Sequence, residues 1–212
     1  MSAMPGMDDG RSGNDFLVVA AMWGAMMVAM MSPSAAPTIL LYGRVHRNAA
    51  GASPPPTAAF LAGYLACWIG FALVAAALQL ALERAALASP ASMALHGRHA
   101  AAALLIAAGL YQLSPFKDAC LGRCRSPADF LARNYRPGAS GALRLGLLHG
   151  AYCVGCCWML MALLFVGGVM NLIWIAALTL LVAAEKLLPG GNWLARIAGM
   201  AMAGWGAALL LG

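Results

Sequence analysis

The chain has 212 residues, of which 63% are hydrophobic and 9% charged. Soluble domains run at about 45–50% apolar and about 25% charged, so an ordinary cytosolic globular protein is excluded. The formal charge of +6 comes from 13 Lys+Arg against 7 Asp+Glu; the basic residues sit in short loops between apolar blocks and read as topology signals, not as a nucleic-acid surface.

The apolar blocks are about twenty residues long, enough to cross roughly 30 Å of hydrocarbon. The ten-residue alternation of a membrane barrel is absent. The expected fold is all-α: a polytopic membrane protein of about six transmembrane helices. A polar, outward-facing tail over 1–15 precedes a single transmembrane helical domain over 16–212.

No basic segment and cleavage site precede the first apolar block, which is expected to be a retained span. Span one is predicted over Phe16–Ser32, with an apolar tail to Tyr42. Pro33 and Pro37 remove backbone donors, so the first helix should be kinked or broken there, with Ser32, Ser34 and Thr38 satisfying the freed carbonyls. Gly43–Pro56 is a basic loop, Thr57–Leu82 span two, Glu83–Arg98 a second loop and His99–Leu113 span three. A polar segment over Ser114–Ser140 holds Lys117, Arg123, Arg125, Arg133 and Arg136. Within it Ser126-Pro127-Ala128-Asp129 marks a helix start, and Phe130, Leu131 and Tyr135 should lay that helix on the membrane surface. Span four is Gly141–Val166, span five Met170–Leu188 and span six Trp193–Leu211. Lys and Arg concentrate in the loops after spans one, three and five, which should face the cytoplasm and leave both termini outside. The segment 114–140 is then a cytoplasmic loop.

Six cysteines are many for a chain with so little polar sequence. The densest constellation is His149-Gly-Ala-Tyr-Cys153-Val-Gly-Cys156-Cys157. At about 100° per residue, His149, Cys153, Cys156 and Cys157 share one helix face. An intramembrane histidine is costly without a partner; the plainer alternative is a helix interface of small residues. Met22, Met26 and Met30 form a stripe on span one, widened by Met27 and Met31. Depth counting puts Met26 and Met30 level with His149 and Cys153, so thioethers and thiolates should meet around one ion, although such stripes also serve packing. Cys120 and Cys124 form a CxxxC pair whose neighbours Lys117, Arg123 and Arg125 should favour thiolate.

Weaker candidates are Met4, Met7, Met93, His96 and His99 on the outward side, and Cys67 as a packing residue. Glu185 in lipid needs a partner, Lys186 or Arg144. No phosphate-cradling loop, serine–histidine–acid set or paired carboxylates is found in the spans, so no catalytic residue is assigned and an enzyme is disfavoured. Thiolate and thioether select copper(I); zinc accepts thiolate and imidazole and stands second.

Three stretches resemble a bacterial family of predicted metal-binding integral membrane proteins of unknown function. They are Met26-Met27-Val-Ala-Met30-Met31-Ser-Pro33-Ser-Ala-Ala-Pro37, Pro115-Phe116-Lys117-Asp118-Ala-Cys120-Leu-Gly-Arg-Cys124, and Leu147-Leu-His149-Gly-Ala-Tyr-Cys153-Val-Gly-Cys156-Cys157-Trp158. The resemblance runs from span one through span five and implies an inner-membrane protein that binds metal, with no assigned reaction.

The reading that follows is a soft-metal-binding protein of the bacterial inner membrane. It would bind, transfer or transport copper(I) through His149, Cys153, Cys156, Cys157, Met26, Met30, Cys120 and Cys124, exchanging the ion with a donor or acceptor protein. A membrane thiol–disulfide oxidoreductase and a structural or assembly subunit of a membrane complex are the competing readings.

Overall fold

The structure, a computed structural model, describes residues 8–50, 56–88, 94–95 and 97–211, with side-chain surroundings in the first helix from residue 15 to 48. The described residues form nine helices and no β-strand. They are α1 (Asp8–Ala50), α2 (Thr57–Arg84), α3 (Arg98–Gln112), α4 (Pro115–Arg125) and α5 (Pro127–Asn134). Then follow α6 (Gly138–Ala162), α7 (Leu164–Gly167), α8 (Leu172–Leu187) and α9 (Gly191–Leu211).

Four helical stretches are long and apolar enough to cross a membrane: Asp15–Asn48, Thr57–Arg84, Gly138–Gly167 and Gly191–Leu211. α3 and α4 meet at 62° and together would make a fifth. The expected six needed α3 and α8 to span separately. With 15 and 16 residues, they reach only about 22 and 24 Å at 1.5 Å per residue, short of a roughly 30 Å hydrocarbon core.

α1 begins at Asp8, inside the expected tail, and runs unbroken through Pro33 and Pro37 to Ala50. No break occurs at the prolines. The carbonyls left without a helical donor are four residues earlier, those of Ala29 and Pro33. The serines bond elsewhere: Ser32 Oγ donates to Val28 O at 2.6 Å and Ser34 Oγ to Met31 O at 2.8 Å.

The segment 114–140 is mostly helical. Ser114 caps α4 by accepting from the Lys117 N–H, with Pro115 at the first position. α5 starts at the expected Ser126-Pro127, although Ser126 makes no side-chain cap bond. Phe130 and Leu131 do not lie on a membrane surface. They are buried in a small core with Tyr42, Phe60, Ala142 and Leu145, because protein already covers that face of α5.

α6 is the central helix. Half of its apolar window is buried, against 17% for α9. It packs on α2 and α4, while α1 packs along α2 and touches α5 and α8. The α2–α6 contact is close because glycines face backbone across it. A Cβ on Gly146 would overlap the carbonyl of Phe60, and one on Gly63 the carbonyl of Leu143. Outward faces carry Leu172, Ile173, Leu180 and Leu211, all strongly exposed.

Candidate functional site

The thiol face of α6 points into the protein. His149 and Cys153 are 2% exposed, Cys156 and Cys157 1%. The three cysteines differ in their partners. The Sγ of Cys156 and that of Cys157 each donate to the carbonyl of Cys153, at 3.1 and 2.9 Å. The Sγ of Cys153 lies 2.8 Å from Lys186 Nζ and 3.1 Å from Tyr64 Oη. Tyr64 in turn donates to the carbonyl of Met31 at 2.9 Å. Lys186 Nζ also lies 3.9 Å from Cys157 Sγ and 3.4 Å from Ser34 Oγ. Side chains of α2 and α8 thus meet the α6 thiol at Cys153, and Ser34 of α1 touches both of them.

Cys120 and Cys124 are one helical turn apart, and α4 turns that face onto α6. Cys124 Sγ is 3.9 Å from Cys156 Sγ. Cys120 Sγ packs over Gly155, 3.1 Å from where a Cβ there would stand. The two cysteine groups that the sequence separates into a span and a loop are therefore adjacent. The basic neighbours of the pair are engaged elsewhere. Lys117 Nζ pairs with Glu185 at 2.6 Å, Arg123 Nη1 donates to Tyr152 Oη at 2.5 Å, and Arg125 Nη1 donates to Asn192 Oδ1 at 2.9 Å. Each of the three cations thus has a partner other than a thiol. A cavity of about 450 Å³ flanks this region, lined in part by Arg123, Asp129, Arg133 and Tyr152, with no cysteine in its wall.

His149 occupies an aromatic cage, with ring centroids of Phe60, Tyr64 and Phe130 at 6.0, 5.7 and 5.4 Å. Its Nδ1 is buried without a hydrogen-bond partner, and no hydrogen bond joins it to a cysteine among the described residues. Of the methionines, Met30 is buried and Met26 half-buried, in the same apolar core as the α6 thiols. α1 makes at most marginal contact with α6; its hydrogen-bonded links toward the thiols run from the Met31 carbonyl to Tyr64 and from Ser34 to Lys186, beginning one residue beyond Met30. Cys67 donates to the carbonyl of Leu147 at 3.3 Å, in the packing role expected of it. His99 is exposed; Met4, Met7, Met93 and His96 lie outside the described residues.

Glu185 is partnered by neither Lys186 nor Arg144. It accepts from Lys117 and from Gln112 Nε2 at 2.7 Å, and Lys117 also donates to Gln112. Adjacent helical residues diverge by about 100°, so Glu185 faces α3 and α4 while Lys186 faces the thiols. Lys186, Tyr64 and Ser34 are the site residues that sequence reasoning missed. That divergence was a usable signal, since it forbids the two from sharing one face.

Chemically, the cluster offers soft sulfur in a dry interior, next to one fixed cation. Among the described residues the cluster offers no carboxylate to hard, oxygen-seeking ions. Among the described residues no three His, Cys, Asp or Glu side chains stand as a ready metal-holding group. The thiols are instead bonded to one another's backbone, to Tyr64 and to Lys186. No curated protein and no solved structure matches the chain. A family model does match over residues 20–209, and the chain belongs to that family, PpoB2, described as a copper chaperone, which ties it to copper.

Proposed function

We propose that this chain is a copper(I)-handling protein of the bacterial inner membrane, with both termini outside and the α4–α5 side toward the cytoplasm. Copper(I) is its cargo. It binds at Cys153 and Cys157 on α6, with Cys156 and Cys124 as the next sulfurs and Cys120 beyond them. His149 supplies a spare imidazole nitrogen, and Met26 and Met30 a thioether lining toward the outer side. Exchange between closely spaced sulfurs moves a soft ion without exposing it bare to lipid. A partner protein then donates or accepts it.

The observation that carries this reading is the 3.9 Å approach of Cys124 Sγ to Cys156 Sγ. It makes one sulfur path out of two groups that lie 32 residues apart. Thiolate ligands prefer copper(I) to oxygen-seeking ions, and the family description points the same way. The test is metal analysis of the purified protein after copper(I) loading. About one equivalent is expected, lost in the Cys153→Ser/Cys156→Ser/Cys157→Ser variant and weakened in Cys124→Ser. Metal-free wild-type protein with no copper(I) affinity would refute it.

The same 3.9 Å contact favours a second reading, thiol–disulfide exchange between α4 and α6: the Cys156 thiolate attacks a Cys120–Cys124 disulfide made by exchange with an incoming protein disulfide, the Cys124–Cys156 bond forms and the Cys120 thiolate leaves. Trapping a Cys124–Cys156 disulfide during turnover, in protein that takes up no copper, would select it.

A further inference from the structure

Lys186 is buried to all but 8% of its surface. Its Nζ faces Cys153 and Cys157 from α6, Ser34 from α1 and, through Cys153, the Tyr64 hydroxyl from α2. Among the described residues no carboxylate pairs with it, because the adjacent Glu185 is held by Lys117. A cation buried in an apolar interior requires compensating charge. Here only sulfur is placed to provide it.

We propose that Lys186 is the charge-selecting residue of the thiol site: its ammonium makes the Cys153–Cys157 pair a site for monovalent, not divalent, soft cations. This rests on the proposed metal-handling function and names the class of ion that the site accepts. The charge count is direct. Two thiolates, one ammonium and one monovalent ion sum to zero. The same set with a divalent ion carries one uncompensated positive charge in a low-dielectric interior, which is strongly disfavoured. Softness alone does not separate copper(I) or silver(I) from soft divalent ions, since thiolates bind both. The fixed charge adds the missing criterion. Cys153 and Cys157 stand one helical turn apart, so both sulfurs flank the same ammonium and neither can hold an ion without sensing it.

The experiment loads the full-length purified protein with silver(I) and cadmium(II) in competition and reads bound metal by elemental analysis. These ions are both soft and closed-shell and differ in charge. Wild-type protein is expected to take silver(I). Lys186→Met should shift the preference toward cadmium(II) on the order of a hundredfold, the scale of leaving one buried charge unpaired. Lys186→Arg should keep the wild-type preference. Ser34→Asp leaves the lysine in place and adds a carboxylate beside it, so it should shift preference in the same direction. It also serves if Lys186→Met fails to fold. Unchanged selectivity in Lys186→Met and Ser34→Asp overturns the charge-selection proposal and leaves copper handling standing. Wild-type protein that binds neither silver(I) nor copper(I) overturns both.

Discussion

Lys117 and Lys186 are both buried ammonium groups, but they sit in different chemistry. Lys117 is closed by Glu185 and Gln112 in a complete ionic and hydrogen-bonded set between α3, α4 and α8. Lys186 faces two thiols, a serine hydroxyl and, among the described residues, no carboxylate. The first arrangement is finished without any ligand and fastens α4 to the bundle. The second has its charge compensated only by groups that soft metal ions also bind. Adjacent residues of α8 feed the two sets, so one helix both anchors α4 and supplies the charge at the sulfur cluster.

The largest expected effect breaks the closed set. Lys117→Met alone should destabilise the protein by about 3–5 kcal/mol, because Glu185 is left charged and buried. Unfolding in detergent, followed by circular dichroism, measures it. The double variant Lys117→Met/Glu185→Leu should recover most of that loss and keep copper binding. A double variant that stays folded but loses copper would join the two regions into one functional unit and end the contrast.

A smaller effect sharpens the sulfur side. His149 Nδ1 is buried without a partner, and an unsatisfied buried polar atom costs about 1–3 kcal/mol. His149→Phe should therefore leave stability unchanged or raised, while copper retention falls. A stable variant with full copper retention would assign His149 to the aromatic cage alone. Smallest is Tyr64→Phe, which removes the bond to the Met31 carbonyl and should cost about 0.5–1.5 kcal/mol in the same unfolding assay. No change there would show that the Tyr64 hydroxyl is not needed to tie α1 to the thiol cluster.

Much of the helical framework was legible from apolar block length and turn residues. α2, α6 and α9 fall close to the predicted spans two, four and six, because each is a long apolar run bounded by Gly, Pro or charge. α4 was missed, although Ser114-Pro115 carries the same start signal as the recognised Ser126-Pro127. Its charged residues read as loop, and three of them turned out to be engaged with α6, α8 or α9. The α6 thiol face follows from helical periodicity, which fixes directions within one helix. Periodicity is silent on which neighbour that face meets. Depth counting pointed to Met26 and Met30; the hydrogen bonds from α1 toward the cluster come from Met31 and Ser34, through Tyr64 and Lys186.

By itself, then, the sequence determined an all-helical chain built on long apolar stretches, and one helix bearing three thiols on one side. These are local properties, set by backbone geometry and by transfer of side chains out of water. The tertiary structure alone decided that Cys124 joins those thiols, that Glu185 and Lys186 part company, and that Lys186 is the cation beside Cys153. Each depends on how helices distant in sequence pack, and that is set by features such as the small glycine faces between α2 and α6, whose complementarity no single segment carries.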